Sequence, residues 1–160
     1  MAARTVTAVD DAIPLARLLA MSFRLMIDDL HDRLRQRGWT DVRPAYGFVL
    51  LALREHPISA KDVAALMGTT KQAASQLVDA MESGGFVNRV PSDRDGRVRD
   101  LVLADKGREL LTAVEAIYAE IEGEWVARAG ADDLAATRRA LLGVVRSEPD
   151  SALPAVRPLW

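Results

Sequence analysis

Two periods of hydrophobicity run along the chain, and the point where one gives way to the other marks its middle. From Leu15, the side chains of Leu18, Leu19, Ser22, Met26, Leu30 and Leu34 return every three or four residues, the spacing that lines one face of a helix. This predicts a helix that starts near Ile13-Pro14, with Asp10 or Asp11 as its cap and Pro14 in the first turn, runs to about Arg37 and stops at Gly38. Over about 25 residues it would be about 38 Å long, more than a domain of this size needs for its own core. Arg43-Pro44 opens a second helix that reaches about Glu55 and ends at Pro57. Ser59, with Asp62 at the capping-box position, starts a short helix through Met67 that Gly68 breaks. Thr69, with Gln72 three residues on, reads as the cap of the next helix, Thr70 to Ser83, which ends at Gly84-Gly85.

After those glycines the period falls to about two. Phe86 to Val90 reads as a strand, Pro91 to Gly96 as a turn and Val98 to Leu103 as the returning strand, with Asp95-Gly96 a strong hairpin signal. From Asp105 the helical spacing resumes: Leu110, Val114, Ile117, Ile121 and Trp125 form one stripe, flanked by Leu111 and Tyr118, up to Gly130. A last helix starts at Asp132 or Asp133, carries Leu134, Leu141, Leu142 and Val145, and is closed by Pro149; residues 148–160 read as an irregular tail. Four helices, a two-stranded hairpin and two helices make a mainly α fold. Strands do not alternate with helices as a parallel sheet requires.

With 160 residues, 49% hydrophobic and 28% charged, the chain fits one domain with a real core. It has no cysteine, which excludes disulfides, thiolate metal sites and thiol redox sensing. The two histidines, His31 and His56, fall on different expected helices, so neither a metal centre nor any other cofactor is expected. The longest apolar run, Phe48 to Leu53, is far short of the roughly 20 residues of a membrane span. Met1 to Asp11 has no apolar core and no cleavage pattern, so a cytoplasmic protein without a membrane partner is expected. The net charge of −2 is mildly unusual for a nucleic-acid binder. The excess acid sits in residues 104–150, with six basic and ten acidic side chains, whereas residues 54–103 carry seven of each. Basic residues in that middle segment must be sorted onto one face to attract phosphate.

Residues 59–85 place two helices around a tight turn at Gly68-Thr69, a helix-turn-helix pattern. Ala74, Leu77, Val78 and Met81 are spaced to pack inward, which turns Lys71, Gln72, Ser75, Gln76 and Asp79 outward. Small hydrogen-bonding side chains at a helix start suit entry into a DNA major groove, and the free N–H groups there favour phosphate. Ser59, Thr69 and Thr70 join this set of candidate DNA contacts. The hairpin that follows carries Arg89, Arg94, Arg97 and Arg99; an arginine at an exposed tip reaches a minor groove, and Asp95 is placed to hold Arg97 by an ion pair.

Residues 59–107, SAKDVAALMGTTKQAASQLVDAMESGGFVNRVPSDRDGRVRDLVLADKG, resemble the DNA-binding region of MarR-type regulators. The resemblance rests on the helix start Thr70-Lys71-Gln72 with Leu77-Val78 further on, on the wing Asp93-Arg94-Asp95-Gly96-Arg97, and on Leu103 followed by Gly107. It implies a winged helix-turn-helix over residues 40–104, flanked by dimerisation helices in 1–39 and 105–147, all within one domain. It further implies a homodimer on a pseudo-palindromic duplex, acting as a repressor and released by a small effector. Two positions depart from the pattern: Gln76 stands where the family often has Arg, and Ala104 where Thr usually caps the next helix, a task Asp105 is placed to take over.

The resemblance also implies a small-molecule pocket between the long helices and the winged region, for which His31, Trp39 and Tyr46 are candidates, suited to an aromatic or phenolic ligand. Their alternative role is packing. The stripes on residues 15–34 and 110–125 offer more apolar surface than the winged region covers, which points to a dimer interface. Glu115, Glu120, Glu122 and Glu124 read as a solvated helix face. No phosphate loop, zinc-protease pattern or Ser-His-Asp grouping is present, so no enzyme is expected. The competing reading is a winged-helix protein-interaction module without DNA binding, which the neutral middle segment favours.

Overall fold

The computed structural model describes residues 13–93 and 97–147. Its helices are α1 (Leu15–Gln36), α2 (Pro44–Glu55), α3 (Ala60–Leu66), α4 (Lys71–Ser83), α5 (Asp105–Ala129) and α6 (Ala131–Arg146). The strands are β1 (Ile58–Ser59), β2 (Val87–Pro91) and β3 (Arg99–Leu103). The fold is the expected mainly α winged helix-turn-helix between long helices, with one addition: its sheet has three strands. β1 pairs with the second edge of β3, Ile58 opposite Leu101 and Ser59 opposite Asp100, giving the antiparallel order β1-β3-β2. Two residues are too few to show an alternation, so the pattern along the sequence contains no sign of β1. The short strand fastens the start of α3 to the middle of β3.

Three helices end by the same chemistry. Gly68 follows α3 with φ +56°, a backbone that strains an L side chain. Its N–H donates to Ala65 O at 3.1 Å, and the Thr69 N–H donates to Ala64 O at 3.0 Å, satisfying carbonyls the helix leaves open. The same pair of bonds closes α1 at Gly38 and Trp39, and α4 at Gly85 and Phe86. Because Thr69 completes the end of α3, the cap of α4 passes to Thr70, whose Oγ1 accepts the Ala73 N–H at 3.1 Å. The expected Thr69 cap is therefore displaced by one residue.

Other boundaries shift slightly. Pro14 stands just before α1 instead of in its first turn, and Asp10, Asp11, Pro149 and the tail at 148–160 lie outside the described residues. Asp105 does not replace the missing threonine cap of α5. It sits in the first turn, and its carboxylate accepts from Arg108 at 2.8 Å.

The core forms where α1 and α2 pack on α5 and α2 reaches β3. Leu34, Val49, Leu50, Val78, Met81, Phe86, Leu101, Leu110, Ile117 and Ile121 are almost wholly removed from solvent. Each such side chain contributes about 1.5–3 kcal/mol of burial. α6 differs, because none of its side chains is buried, and Leu141, Leu142, Val144 and Val145 are exposed. Leu15, Leu18, Leu19, Met21 and Leu25 near the start of α1 are exposed as well.

Candidate nucleic-acid interface

Helix α4 is two-faced in the way its sequence requires. Ala74, Val78 and Met81 are buried and Leu77 half-buried, while Lys71, Gln72, Ser75, Gln76 and Asp79 are exposed. Thr69 and Thr70 are exposed at its start, and the Thr70 hydroxyl is engaged as the cap. The outward row holds one ammonium, two amides and a hydroxyl, groups able to meet base edges and phosphate oxygens, and one carboxylate, that of Asp79.

Ser59 caps α3, as its spacing to Asp62 predicts. Its Oγ accepts the Asp62 N–H at 3.3 Å and donates to Asp62 Oδ2 at 2.8 Å, while the Ser59 N–H donates to that same oxygen at 2.8 Å. Both arms of a capping box are present, with Asp doing the work usual for Glu. Lys61 of α3, by contrast, is exposed and lines the groove beside Thr69, Thr70 and Lys71. Sequence reasoning passed over it because a single lysine on a helix surface carries no periodic signal.

In the hairpin, Arg97 and Arg99 are exposed at the start of the returning limb, and the Ser92 N–H donates to Val98 O at 3.0 Å to narrow its base. Arg94 and Asp95, and with them the expected Asp95–Arg97 pair, lie outside the described residues. Arg89 does not belong to the group of outward wing arginines. Its Nη2 donates to Asp79 Oδ1 at 2.6 Å and its Nη1 pairs with Glu82, so it joins β2 to α4. The hydrogen bond to Asp79 holds its proton more firmly than usual, against a partial desolvation.

The three candidate pocket residues do not meet in one cavity. His31 borders a void of about 10 Å³ with Val42, Phe48 and Tyr118, no larger than a water molecule. Burial, and then the Arg35 charge, lower the His31 pKa, so its imidazole is neutral near pH 7. Tyr46 is buried and lies edge-on to Phe86 at 5.3 Å between ring centroids; Trp39 meets the same ring at 6.5 Å. Tyr46 and Phe86 floor a separate cleft of about 420 Å³ whose rim carries Arg43 and Lys106. Lys106 itself donates to Gly84 O at 2.8 Å and sits 4.4 Å above the Phe86 ring.

The acids of α5 are not simply solvated. Glu120 accepts from Arg37 at 2.7 Å and Arg33 at 3.3 Å, Glu124 from Arg33 at 2.7 Å, and Glu122 from Arg138 at 2.5 Å; Glu115 pairs with Arg54. Arg37, followed by Arg33, holds the Glu120 carboxyl below the usual range. Such exposed pairs each contribute little, but together they link α5 to α1, α2 and α6. Among the described residues, no group of three or more His, Cys, Asp and Glu is placed to hold a metal, and no helix is long and apolar enough to cross a membrane.

This geometry has relatives. A family model described as the MarR family matches residues 40–98. The chain is 32% identical over 102 residues to the HTH-type transcriptional repressor MdtR of Bacillus subtilis (strain 168), covering 61% of this chain and 64% of that protein. It is 26% identical over 102 residues to the transcriptional repressor MprA of Escherichia coli (strain K12), covering 64% and 58%. With the exopolysaccharide II synthesis transcriptional activator ExpG of Rhizobium meliloti (strain 1021) it shares 29% identity over 96 residues, covering 60% and 50%. The chain thus spans between half and two thirds of the length of these relatives. Among solved structures, wild-type apo MarR from E. coli superimposes with a TM-score of 0.69 at 22% identity, covering 83% of this chain and 97% of that one. The transcriptional repressor CouR bound to a 23-mer DNA duplex gives 0.69 at 24% identity, covering 91% and 100%. These likenesses establish the shared fold, and the sequence match marks its centre: residues 40–98, the winged helix-turn-helix, are similar to the MarR family.

Proposed function

We propose that this chain is a homodimeric, sequence-specific DNA-binding transcription regulator and not an enzyme, acting as a repressor that a small effector releases from its operator. The observation that carries the reading is the exposed row Lys71, Gln72, Ser75 and Gln76 on a helix whose opposite face is fixed in the core, with Arg97 on the hairpin beside it. In this reading α4 enters the major groove, where its amides select bases, and the wing follows the neighbouring minor groove. Lys61, Thr69 and Thr70 meet phosphate. The match of residues 40–98 to the MarR family model supports the reading, as do two relatives named as repressors.

The second copy is called for by apolar surface. α1 exposes Leu15, Leu18, Leu19, Met21 and Leu25, and α6 buries nothing on its own. Between α6 and Met26 and Trp125 runs an apolar cleft of about 410 Å³. A two-fold dimer through these helices sets its two α4 helices about 34–36 Å apart, one turn of duplex, and so asks for a pseudo-palindrome. The effector, small and aromatic or phenolic, is assigned to the junction around Tyr46, where the long helices and α4 meet.

The test is fluorescence anisotropy with duplexes from upstream of the protein's own coding sequence, titrated with salt, and light scattering alongside. Expected are a dimer and a preferred duplex whose affinity falls steeply as salt rises. A folded monomer, or indifference between duplexes and single strands, overturns the proposal.

A further inference from the structure

Helix α4 carries one lysine, Lys71, against two acids, Asp79 and Glu82. Asp79 lies on the same stripe as Lys71 and Ser75, each four residues from the next, and about 12 Å from Lys71 along the axis. A carboxylate on that stripe stands on the side the helix turns to DNA, whose duplex carries one negative charge per roughly 1.7 Å. Taken alone, the helix that reads DNA would present it with a net negative charge.

Arg89 removes that difficulty. Its register opposite Leu101 sets it in the middle of β2, away from the hairpin tip. From there its Nη2 reaches Asp79 at 2.6 Å and its Nη1 pairs with Glu82. With Lys71 and Arg89 against Asp79 and Glu82, the charges sum to zero. The arginine side chain is 29% exposed and Asp79 63%, so the acid is the outer partner and the arginine lies behind it. Both terminal nitrogens of the guanidinium already hold carboxylates. In water so exposed a pair adds little to fold stability; its consequence is electrostatic, at the surface where phosphate arrives.

We propose that Arg89 is a positioning residue of the DNA interface: it cancels the acid charge that Asp79 and Glu82 would set beside the phosphates, and in doing so ties the wing to the recognition helix. The inference rests on the DNA-binding reading above. It distinguishes Arg89 from Arg97, which the same reading brings into contact with DNA.

The experiment uses the full chain and a labelled duplex selected by the parent protein from a random-sequence pool. Arg89→Gln is expected to bind about tenfold more weakly, the scale of a close charge coupling. Adding Asp79→Asn and Glu82→Gln to Arg89→Gln is expected to restore affinity to within about twofold of the parent, because no acid remains to be cancelled. In the parent background, Asp79→Asn with Glu82→Gln is expected to bind at least as tightly as the parent, and this holds as a test even if Arg89→Gln fails to fold. If the triple variant stays weak and the slope of log affinity against log salt falls by about one, Arg89 itself holds a phosphate and the proposal is overturned. Arg89→Gln binding like the parent also overturns it, and leaves the DNA-binding reading intact. A parent protein that selects no duplex overturns both.

Discussion

A Cβ on Gly107 would stand 2.0 Å from the carbonyl oxygen of Phe86, the same oxygen that accepts the Ala104 N–H at 3.1 Å. The first turn of α5 thus lies flush on the backbone that leaves α4 and enters the wing. Two effects compete when Gly107 becomes alanine. Helix propensity favours the change by about 1 kcal/mol. Overpacking against a main chain that cannot rotate away costs about 1–3 kcal/mol or more, and an approach of 2.0 Å lies at the severe end. Gly107→Ala is therefore expected to destabilise the protein by about 2 kcal/mol and to lower the Tm by roughly 4–8 °C. A thermal melt at or above that of the parent would show that the two segments are not in such contact.

The neighbours Thr69 and Thr70 are expected to respond differently to the same substitution. Thr70→Ala removes the hydroxyl that accepts the Ala73 N–H and should cost about 1 kcal/mol. Thr69 contributes its backbone N–H to Ala64 O, which alanine keeps, so Thr69→Ala should stay within about 0.5 kcal/mol. Urea denaturation of both variants checks this. The reverse order of stabilities would return the cap to Thr69.

These two cases also mark what the sequence could and could not disclose. Helix stripes such as Leu110, Val114, Ile117 and Ile121 were legible because periodicity is local, and the stops at Gly38, Gly68, Gly85 and Gly130 because each glycine takes a positive φ. The outward set on α4 followed from its inward set. Thr69 and Thr70 could not be told apart by type. What settles them is that Thr69 is consumed by the end of the preceding helix. β1, two residues long, has no period to detect, and it exists because β3 offers it an edge. Pairs such as Arg89–Asp79 and Arg37–Glu120 join elements far apart in the chain, so no spacing announces them. Residue type alone does not say which side chains share a cavity, and the fold sends His31 and Tyr46 to different ones.

The apolar ends of the chain give an assembly test. Leu25 is 67% exposed and Val144 66% in the single chain, so a charge at either position should leave the fold of one copy within about 0.5 kcal/mol. In a dimer built on α1 and α6 the same charge meets apolar surface without a partner, which is costly. Leu25→Glu together with Val144→Glu is expected to shift light scattering from dimer to monomer and to remove the dependence of the Tm on protein concentration that a dimer shows. An undisturbed dimer would place the interface elsewhere.

The last expectation separates the work of wing and helix. Arg97 is exposed on the hairpin, where a cation responds to groove potential and backbone more than to base identity. Arg97→Ala should therefore weaken binding to most duplexes by a similar factor. Gln72 and Gln76 are exposed on α4, where an amide that bonds an adenine in two places discriminates among bases. Gln72→Ala or Gln76→Ala should change the ranking of duplex variants by about 1–3 kcal/mol at the contacted base pair. Exposed as they are, none of the three should shift stability beyond about 0.5 kcal/mol. The measurement is binding of each variant to a panel of single-base duplex mutants, with thermal melts in parallel. If Arg97→Ala binds like the parent, the wing is not at the interface. If the glutamine variants lose stability but keep the parent's ranking of duplexes, the outward face of α4 is not what reads the bases.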